Sequence, residues 1–524
     1  MRDMDFLSLG YIAFTAICLV LYYRLPGGHQ WKVLLVANLL FYLIVGRHNI
    51  LFILFTAFTV WYGALVSDRY RLEFALAKKS AGSREEKKEL KNRYQRKKRI
   101  VLFLVLILNF GVLAFMKYFR IMGAWGQGLL VPLGISFYTF QAVGYIIDVH
   151  GEKYEAEKSF PRFLLFVSFF PQLVQGPINR YGKMGPQFYK EHSWSEVRAK
   201  KALLLILFGL MKKYAVANML TDSIGRIFDS PPNAIPGSLV VCGILLYSVQ
   251  QYADFSGGID IVLGVAGLFD LEMMPNFRQP YFAVSLGDFW RRWHISLGAW
   301  MRDYVFYPFA LLKPMQNFGK WCGKHLGKHF GRVLPAGIAN ILVFFLVGVW
   351  HGAYMHYVWW GLYNGIVIAI SDILEPTFAR ISQLLRLPLK SRGMHVFRVI
   401  RTFVIVNIGW YFDRIEDMTQ CMACFSRTIH EFKAYEFIDG FNSVCLNPDN
   451  VKPVYVLGGM GIALVGTAII FGVSLWKELN PEADFCDSCG TEVRTGAAWL
   501  TLAFMVLVSF VFTTSTGGFL YANF

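Results

Sequence analysis

The chain has 524 residues, with 52 Lys+Arg against 35 Asp+Glu, a net charge of +17, 55% apolar residues and only 17% charged ones. Soluble domains carry about a quarter charged residues, and a mean hydropathy of +0.42 excludes a disordered chain, which needs low hydrophobicity and high charge. No collagen or coiled-coil period is present, and the basic residues fall in short blocks between apolar runs, which argues against a soluble nucleic-acid binder.

Runs of about 17–25 mostly apolar residues are candidates to cross a bilayer. They fall near 6–23, 31–46, 50–67, 100–118, 129–149, 202–220, 237–253, 336–350, 356–373, 397–412, 454–476 and 497–514. The first run lacks a strongly basic preceding segment and a small-residue cleavage site, so it reads as a retained span. Two further stretches, 160–178 and 255–271, are interrupted by Pro or Gly. They read as re-entrant or half-buried segments, which are tolerated at membrane depth only beside protein or a water-filled cavity. The expectation is one all-α polytopic membrane domain over 1–524, with about 11–12 transmembrane helices.

Residues 68–99 hold 13 Lys/Arg against 5 acids, and 301–333 hold six Lys/Arg against Asp303 alone. Six further basic residues lie within 380–401. The positive-inside rule places these three blocks in the cytoplasm and the N-terminus outside. Residues 413–453, with seven acids and four Lys/Arg, fit an external loop. The basic blocks also suit an anionic lipid surface. Two Cys-x-x-Cys pairs, Cys421/Cys424 and Cys486/Cys489, fall on opposite sides of the membrane in this topology and cannot share a metal. The first pair could form a disulfide; no metal site is expected. No nucleotide-binding loop, hydrolase elbow or metalloprotease motif stands in a suitable context, and no internal repeat is visible.

The chemistry concentrates in the middle of the chain. Residues 285–304, SLGDFWRRWHISLGAWMRDY, read as an amphipathic helix of about five turns. Trp290, Trp293, His294, Leu297, Trp300, Met301 and Tyr304 fall on one face, and Asp288, Arg291, Arg292, Arg302 and Asp303 on the other. His294 is the odd member of the apolar face, either a hydrogen-bonded core histidine or a functional one. Arg291 and Arg292 suit an anionic donor or lipid headgroups. In VGVWHGAYMHYVWWGLYNG (347–365), His351 lies between two apolar runs. An ionisable group at membrane depth is a functional candidate. Burial disfavours the imidazolium, and a neutral ring can act as general base. His356 reads as structural. In 247–282, Gln250, Gln251, Asp254, Ser256 and Asp260 sit in or beside an apolar run and need partners when buried.

Together these segments resemble the membrane-bound O-acyltransferase family. The similarity is carried by PNFRQPYFAVSLGDFWRRWHISLGAWMRDYVFYP followed by VGVWHGA, and by PLGISFYTFQAVGYIIDV (132–149), FFPQLVQGPINRY (169–181) and QQYADFSGGIDI (250–261). It is strongest with the bacterial branch that includes the alginate O-acetylation and teichoic-acid D-alanylation proteins. Length and the C-terminal FLYANF favour the former, while DFSGGID departs from the more usual DFSGYSD. The resemblance implies a helical ring over a core of about 100–373, with extra C-terminal spans over 397–524. It makes His351 the catalytic histidine and His294 the second signature position, which would position the thioester or stabilise the oxyanion. It also implies an acyl thioester donor, acetyl-CoA above all, reaching basic groups around Arg291, Arg292 and Arg302. A small acyl carrier protein is the alternative donor. Trp290, Asp254 and Gln251 are secondary substrate-binding candidates. The implied acceptor is an envelope polysaccharide, often served by a separate extracytoplasmic acyltransferase, and the implied location is the bacterial cytoplasmic membrane. A transporter or a non-catalytic scaffold of an envelope complex would use the same cavity without chemistry.

Overall fold

The computed structural model describes residues 8–46, 49–118, 132–231, 235–352, 354–446, 452–482 and 492–513. Cys486, Cys489 and the FLYANF end lie outside the described residues. The regular structure of the described residues is helical, with no strand beyond one isolated bridge. In chain order the helices are α1 (Leu9–Arg24), α2 (Gln30–Gly46), α3 (Ile50–Ser80), α4 (Arg84–Tyr118), α5 (Ile135–His150), α6 (Phe160–Ser168), α7 (Phe170–Gln175) and α8 (Tyr181–Met184). Next come α9 (Glu196–Leu210), a π turn (Met211–Ala217), α10 (Asn218–Asp229), α11 (Gly237–Leu268), α12 (Leu286–Arg292), α13 (Ile295–Met301) and α14 (Tyr307–Ala310). The remainder are α15 (Lys313–His325), α16 (Lys328–His351), α17 (Met355–Ile373), α18 (Glu375–Leu384), α19 (Arg392–Arg414), α20 (Met418–His430), α21 (Phe437–Phe441), α22 (Pro453–Leu479) and α23 (Glu492–Phe512).

Among the described residues, seven segments are long and apolar enough to cross a bilayer: Gly27–Val45, Ile50–Ser80, Arg84–Tyr118, Glu196–Asp229, Lys328–His351, Pro453–Leu479 and Thr495–Phe512. The pair α17 and α18, bent by 53°, makes an eighth if counted as one span. Fewer segments qualify than the sequence suggests, for physical reasons. Helices α1 and α5 have only 16 residues each, short of the ~20 that a span needs. Helix α11 is long, but Gln250, Gln251, Asp254 and Asp260 interrupt its apolar run. The basic block at 68–99 is largely helix, because α3 and α4 project their polar ends beyond their apolar stretches.

The chain forms two compact units. The first comprises Met1–Leu203 and Val262–Met274. At its centre lies α5, buried on nearly every face from Ile135 to Val149, as expected of a helix apolar all round. The 160–178 stretch is broken as its prolines predict, with Phe169 separating α6 from α7. Asn38 of α2 ties down that break, its Oδ1 accepting from Phe170 N at 2.9 Å.

The second unit comprises Leu204–Ile261 and Pro275–Phe524. Two sequence expectations are corrected here. Residues 237–253 and 255–271 are not separate segments, because α11 runs unbroken through Gly257 and Gly258. Gly257 permits a close crossing instead: a Cβ there would stand 2.8 Å from the carbonyl oxygen of Gly209. The 285–304 segment is not one five-turn helix. It is broken at Trp293–His294, where His294 takes a left-handed backbone (φ 48, ψ 52). The predicted single face is therefore split between α12 and α13. Cys421 and Cys424 are buried free thiols on α20, not a disulfide.

Helices α16 and α17 pack antiparallel through glycines. A Cβ on Gly361 would stand 2.3 Å from Phe344 O, and one on Gly348 2.3 Å from Tyr357 O. Both obstacles are backbone, so neither can swing aside. Gly361→Val is expected to destabilise the protein by about 2 kcal/mol or more, as overpacking does. Its thermal unfolding midpoint in detergent should fall, while Gly461→Ala on α22, where a Cβ meets nothing within 4 Å, should not lower the midpoint, since Ala is the better helix former.

Candidate functional site

Helix α12 begins on a reciprocal cap. Ser285 Oγ accepts from Asp288 N at 3.1 Å, and Asp288 Oδ2 accepts from Val284 N at 3.2 Å, the S-x-x-D/E arrangement that starts helices. After two turns the helix ends against the PNFRQP segment. Phe277 and Trp293 form an antiparallel bridge. On either side of it, Arg278 N donates to Arg292 O at 2.9 Å and Ile295 N to Asn276 O at 3.0 Å. Left-handed backbone is costly for a residue with a Cβ and persists where its surroundings enforce it. Here this short ladder enforces it.

The turn delivers His294 into a buried setting. The residue is 4% exposed, and its ring meets Phe255 edge-on at 4.9 Å between centroids. Burial pushes its pKa down to about 3, so the ring is neutral at physiological pH. His294 Nδ1 lies 3.1 Å from Asn276 Oδ1. Trp350 bridges to the other candidate histidine, with centroids 6.2 Å from His294 and 5.0 Å from His351.

His351 is the last residue of α16 and is also 4% exposed. Trp360 and Tyr357 flank it at 4.9 and 5.6 Å between centroids. The α16/α17 glycine contact sets this geometry, since it brings the start of α17 beside the end of α16.

Both histidines line one cavity of about 600 Å³. One stripe of α16 forms a wall: Asn340, Val343, Phe344, Val347 and His351. At 1.5 Å per residue this wall is about 16 Å long. On α17 the lining runs from Trp360, near His351, to Ser371 and Asp372 at the other end. Trp290 fixes the middle, its Nε1 donating to Asn364 Oδ1 at 2.9 Å and its ring meeting Trp360 at 5.4 Å.

The remaining residues singled out in the sequence divide clearly. Arg291 lines the cavity with a side chain that is 72% exposed, and Arg302 also lines it. Arg292 is turned into ion pairs with Asp288 at 3.2 Å and Glu478 at 2.8 Å. Asp254 and Gln251 are not among the cavity's lining residues. Asp254 holds Lys213 of the π turn at 2.6 Å, and the adjacent Lys212 pairs with Asp260 at 2.6 Å. Gln251 and Tyr247 donate to Asp413 at 2.8 and 2.6 Å. His356 donates from Nδ1 to Phe412 O at 2.9 Å. Asn276, Trp350, Asn340 and Asp372 were not singled out from sequence. Asn276 stands in the PNFRQP motif, which was the one available signal for it. No group of three or more metal-ligating side chains occurs among the described residues.

Residues 155–319 match the model of the membrane-bound O-acyltransferase family. His294 and Asn276 lie inside that segment, and His351 lies beyond it. The chain is 32% identical to the probable alginate O-acetylase AlgI of Pseudomonas aeruginosa, over 55% of this chain and 50% of that protein. It is 27% identical to the peptidoglycan O-acetyltransferase of Helicobacter pylori, over 82% of this chain and 83% of that protein. It is 29% identical to the teichoic acid D-alanyltransferase of Bacillus subtilis, over 54% and 69% respectively. The match to the alginate proteins thus spans about half their length.

The Lys213–Asp254 pair is buried, with side chains 4% and 2% exposed. Removing one partner of such a pair typically costs 3–5 kcal/mol, whereas replacing both by apolar groups is often neutral. Asp254→Asn should therefore lower the unfolding midpoint in detergent by an amount equivalent to about 3 kcal/mol. The double substitution Asp254→Leu with Lys213→Met should recover most of that loss.

Proposed function

The chain belongs to the membrane-bound O-acyltransferase family, and from that premise we propose that it transfers an acyl group from a thioester to hydroxyls of a cell-envelope polymer. The observation that carries this reading is the single elongated cavity with His294 and His351 together in its lining and the exposed Arg291 beside it.

The donor is acetyl-CoA. Its pantetheine arm is long, a match for the extended α16 wall of the cavity, and Arg291 and Arg302 are suited to its phosphates. The thioester carbonyl comes to rest beside His351. His351 removes the proton of the acceptor hydroxyl as that oxygen attacks the carbonyl carbon. The C–S bond then breaks, and the departing thiolate takes the proton back from the imidazolium. The products are an acyl ester and free CoA thiol. His351 ends α16, whose terminal carbonyls carry partial negative charge, a setting that favours the transient cation. His294 holds a reacting group in place. Trp350 and Trp360 wall off water, which would otherwise hydrolyse the thioester.

The basic blocks support a cytoplasmic-membrane location with the N-terminus outside. The donor then enters from the cytoplasm, and the acyl group leaves toward an envelope polysaccharide with an extracytoplasmic acyltransferase as partner. The names of the relatives support O-acetyl transfer, and the D-alanyltransferase among them supports a second reading, in which a carrier-protein thioester replaces CoA. Nucleic acid has no part in either.

Purified protein in nanodiscs, supplied with acetyl-CoA, a polysaccharide acceptor and the extracytoplasmic partner, should release CoA. His351→Ala should lower that release about 10²–10⁴-fold at unchanged folding, the usual contribution of a general base. Equal release from wild type and variant would contradict the mechanism. Release only with an acylated carrier protein would move the reading to the carrier donor.

A further inference from the structure

We propose that Asn276 is a positioning residue that sets the tautomer of His294, so that His294 offers its Nε2 lone pair to a hydroxyl of the acyl acceptor next to the one that reacts. The proposal rests on the acyl-transfer reading above and assigns His294 a more specific task within it.

Asn276 Oδ1 accepts from Ser296 N at 3.1 Å and lies 2.8 Å from Ser296 Oγ. A backbone N–H only donates, so the atom facing it is the amide oxygen and not the amide nitrogen. The same oxygen is 3.1 Å from His294 Nδ1. An amide oxygen only accepts, so Nδ1 carries the proton. In a neutral imidazole the other nitrogen is then an acceptor. His294 Nε2 therefore cannot donate to an oxyanion on the thioester carbonyl. It can accept from a hydroxyl next to the reacting one on the polysaccharide acceptor, and so hold the reacting oxygen, whose own proton goes to His351, across the Trp350 ring that packs against both histidines.

Asn276 is placed for this task by more than its side chain. Its own carbonyl accepts from Ile295 N at 3.0 Å, so it grips residues 294, 295 and 296 in succession. It is 1% exposed, and its Nδ2 is buried with no hydrogen-bond partner among the described residues. Only the oxygen of the amide is in use. The left-handed backbone of His294 (φ 48) is part of the same device, since it turns the ring toward Asn276. The charged or titratable groups that share the cavity with His294 are His351, Arg291, Arg302, Tyr307 and Asp372. Asp254, next to Phe255 on α11, is engaged by Lys213.

The test uses the full chain in nanodiscs with ¹⁵N-histidine, the His294 signals being assigned by difference against His294→Ala. The expected wild-type spectrum has a protonated Nδ1 and an unprotonated Nε2; a protonated Nε2 would overturn the proposal whatever the enzyme assay shows. Asn276→Leu should lose that signature and lower kcat for His351-dependent CoA release about 10²-fold, as mispositioning of a reacting group does, with KM for acetyl-CoA unchanged. Full turnover in Asn276→Leu, or a change confined to KM, would overturn the proposal. Should Asn276→Leu not fold, Asn276→Asp decides. Its carboxylate accepts the same bonds, so it should keep the Nδ1–H signature and turn over at alkaline pH. A carboxylate beside the ring favours the imidazolium, whose Nε2 cannot accept, so activity should be lost at a higher pH than in wild type as pH falls. An unmoved acid limb in Asn276→Asp would overturn the proposal. Failure of the acyl-transfer reading itself is distinguishable, because wild type would then show no His351-dependent CoA release while the tautomer signature stands.

Discussion

The site depends on one local event, the interruption of a helix between Trp293 and His294. Left to its periodicity, the 285–304 segment would be a continuous amphipathic helix with His294 as one more residue on its apolar stripe. The PNFRQP segment prevents this by pairing Phe277 with Trp293 and capturing the backbone of residues 292 and 295. The aromatic cluster of Phe255, Phe277, Phe289, Trp293 and Trp410 fixes the bridge in place. A strained backbone of this kind costs of order 1–3 kcal/mol, and the packing of these large rings offsets it. What results is a histidine whose direction is set by backbone geometry and not by a flexible side chain.

The second constraint is the glycine-mediated contact of α16 with α17. It lets two backbones approach closely, and that places Trp360 against His351. The cavity wall and the position of His351 are thus consequences of the same crossing. Elsewhere in this unit polar groups are satisfied internally: Lys212 and Lys213 with Asp260 and Asp254, and Gln251 and Tyr247 with Asp413. In an apolar environment such groups must be paired or they destabilise the fold. Their role is to hold α11 to its neighbours, which separates them from the cavity residues despite their similar appearance in the sequence.

Much of the architecture was legible from residue pattern alone. Long apolar runs identified the spans at 50–67, 100–118 and 454–476, because apolar length is what a bilayer selects. His351 stood out as an ionisable residue between apolar runs. The misreadings share a cause. Periodicity cannot reveal a helix break imposed by a segment elsewhere, so the 285–304 stretch looked continuous. Glycine pairs look alike whether they break a helix or admit a neighbour, so Gly257 and Gly258 suggested an interruption where α11 is unbroken. Arg291 and Arg292 are adjacent and chemically identical, yet only the tertiary contact with Glu478 shows that Arg292 is held in place, while Arg291, 3.6 Å from Asp288, stays 72% exposed. Asn276 gave no signal of its own, because its function lies in which atoms it faces.

In the proposed reaction a thioester and an acceptor hydroxyl meet in the cavity lined by α12, α13, α16 and α17. The most direct measurement is an experimental structure of the full chain with a non-reactive thioether analogue of acetyl-CoA. The analogue's sulfur and acyl carbon should lie beside His351, with its phosphates toward Arg291. An analogue bound outside this cavity, or seated in it with the acyl group at the Arg291 end, would contradict the proposed reaction.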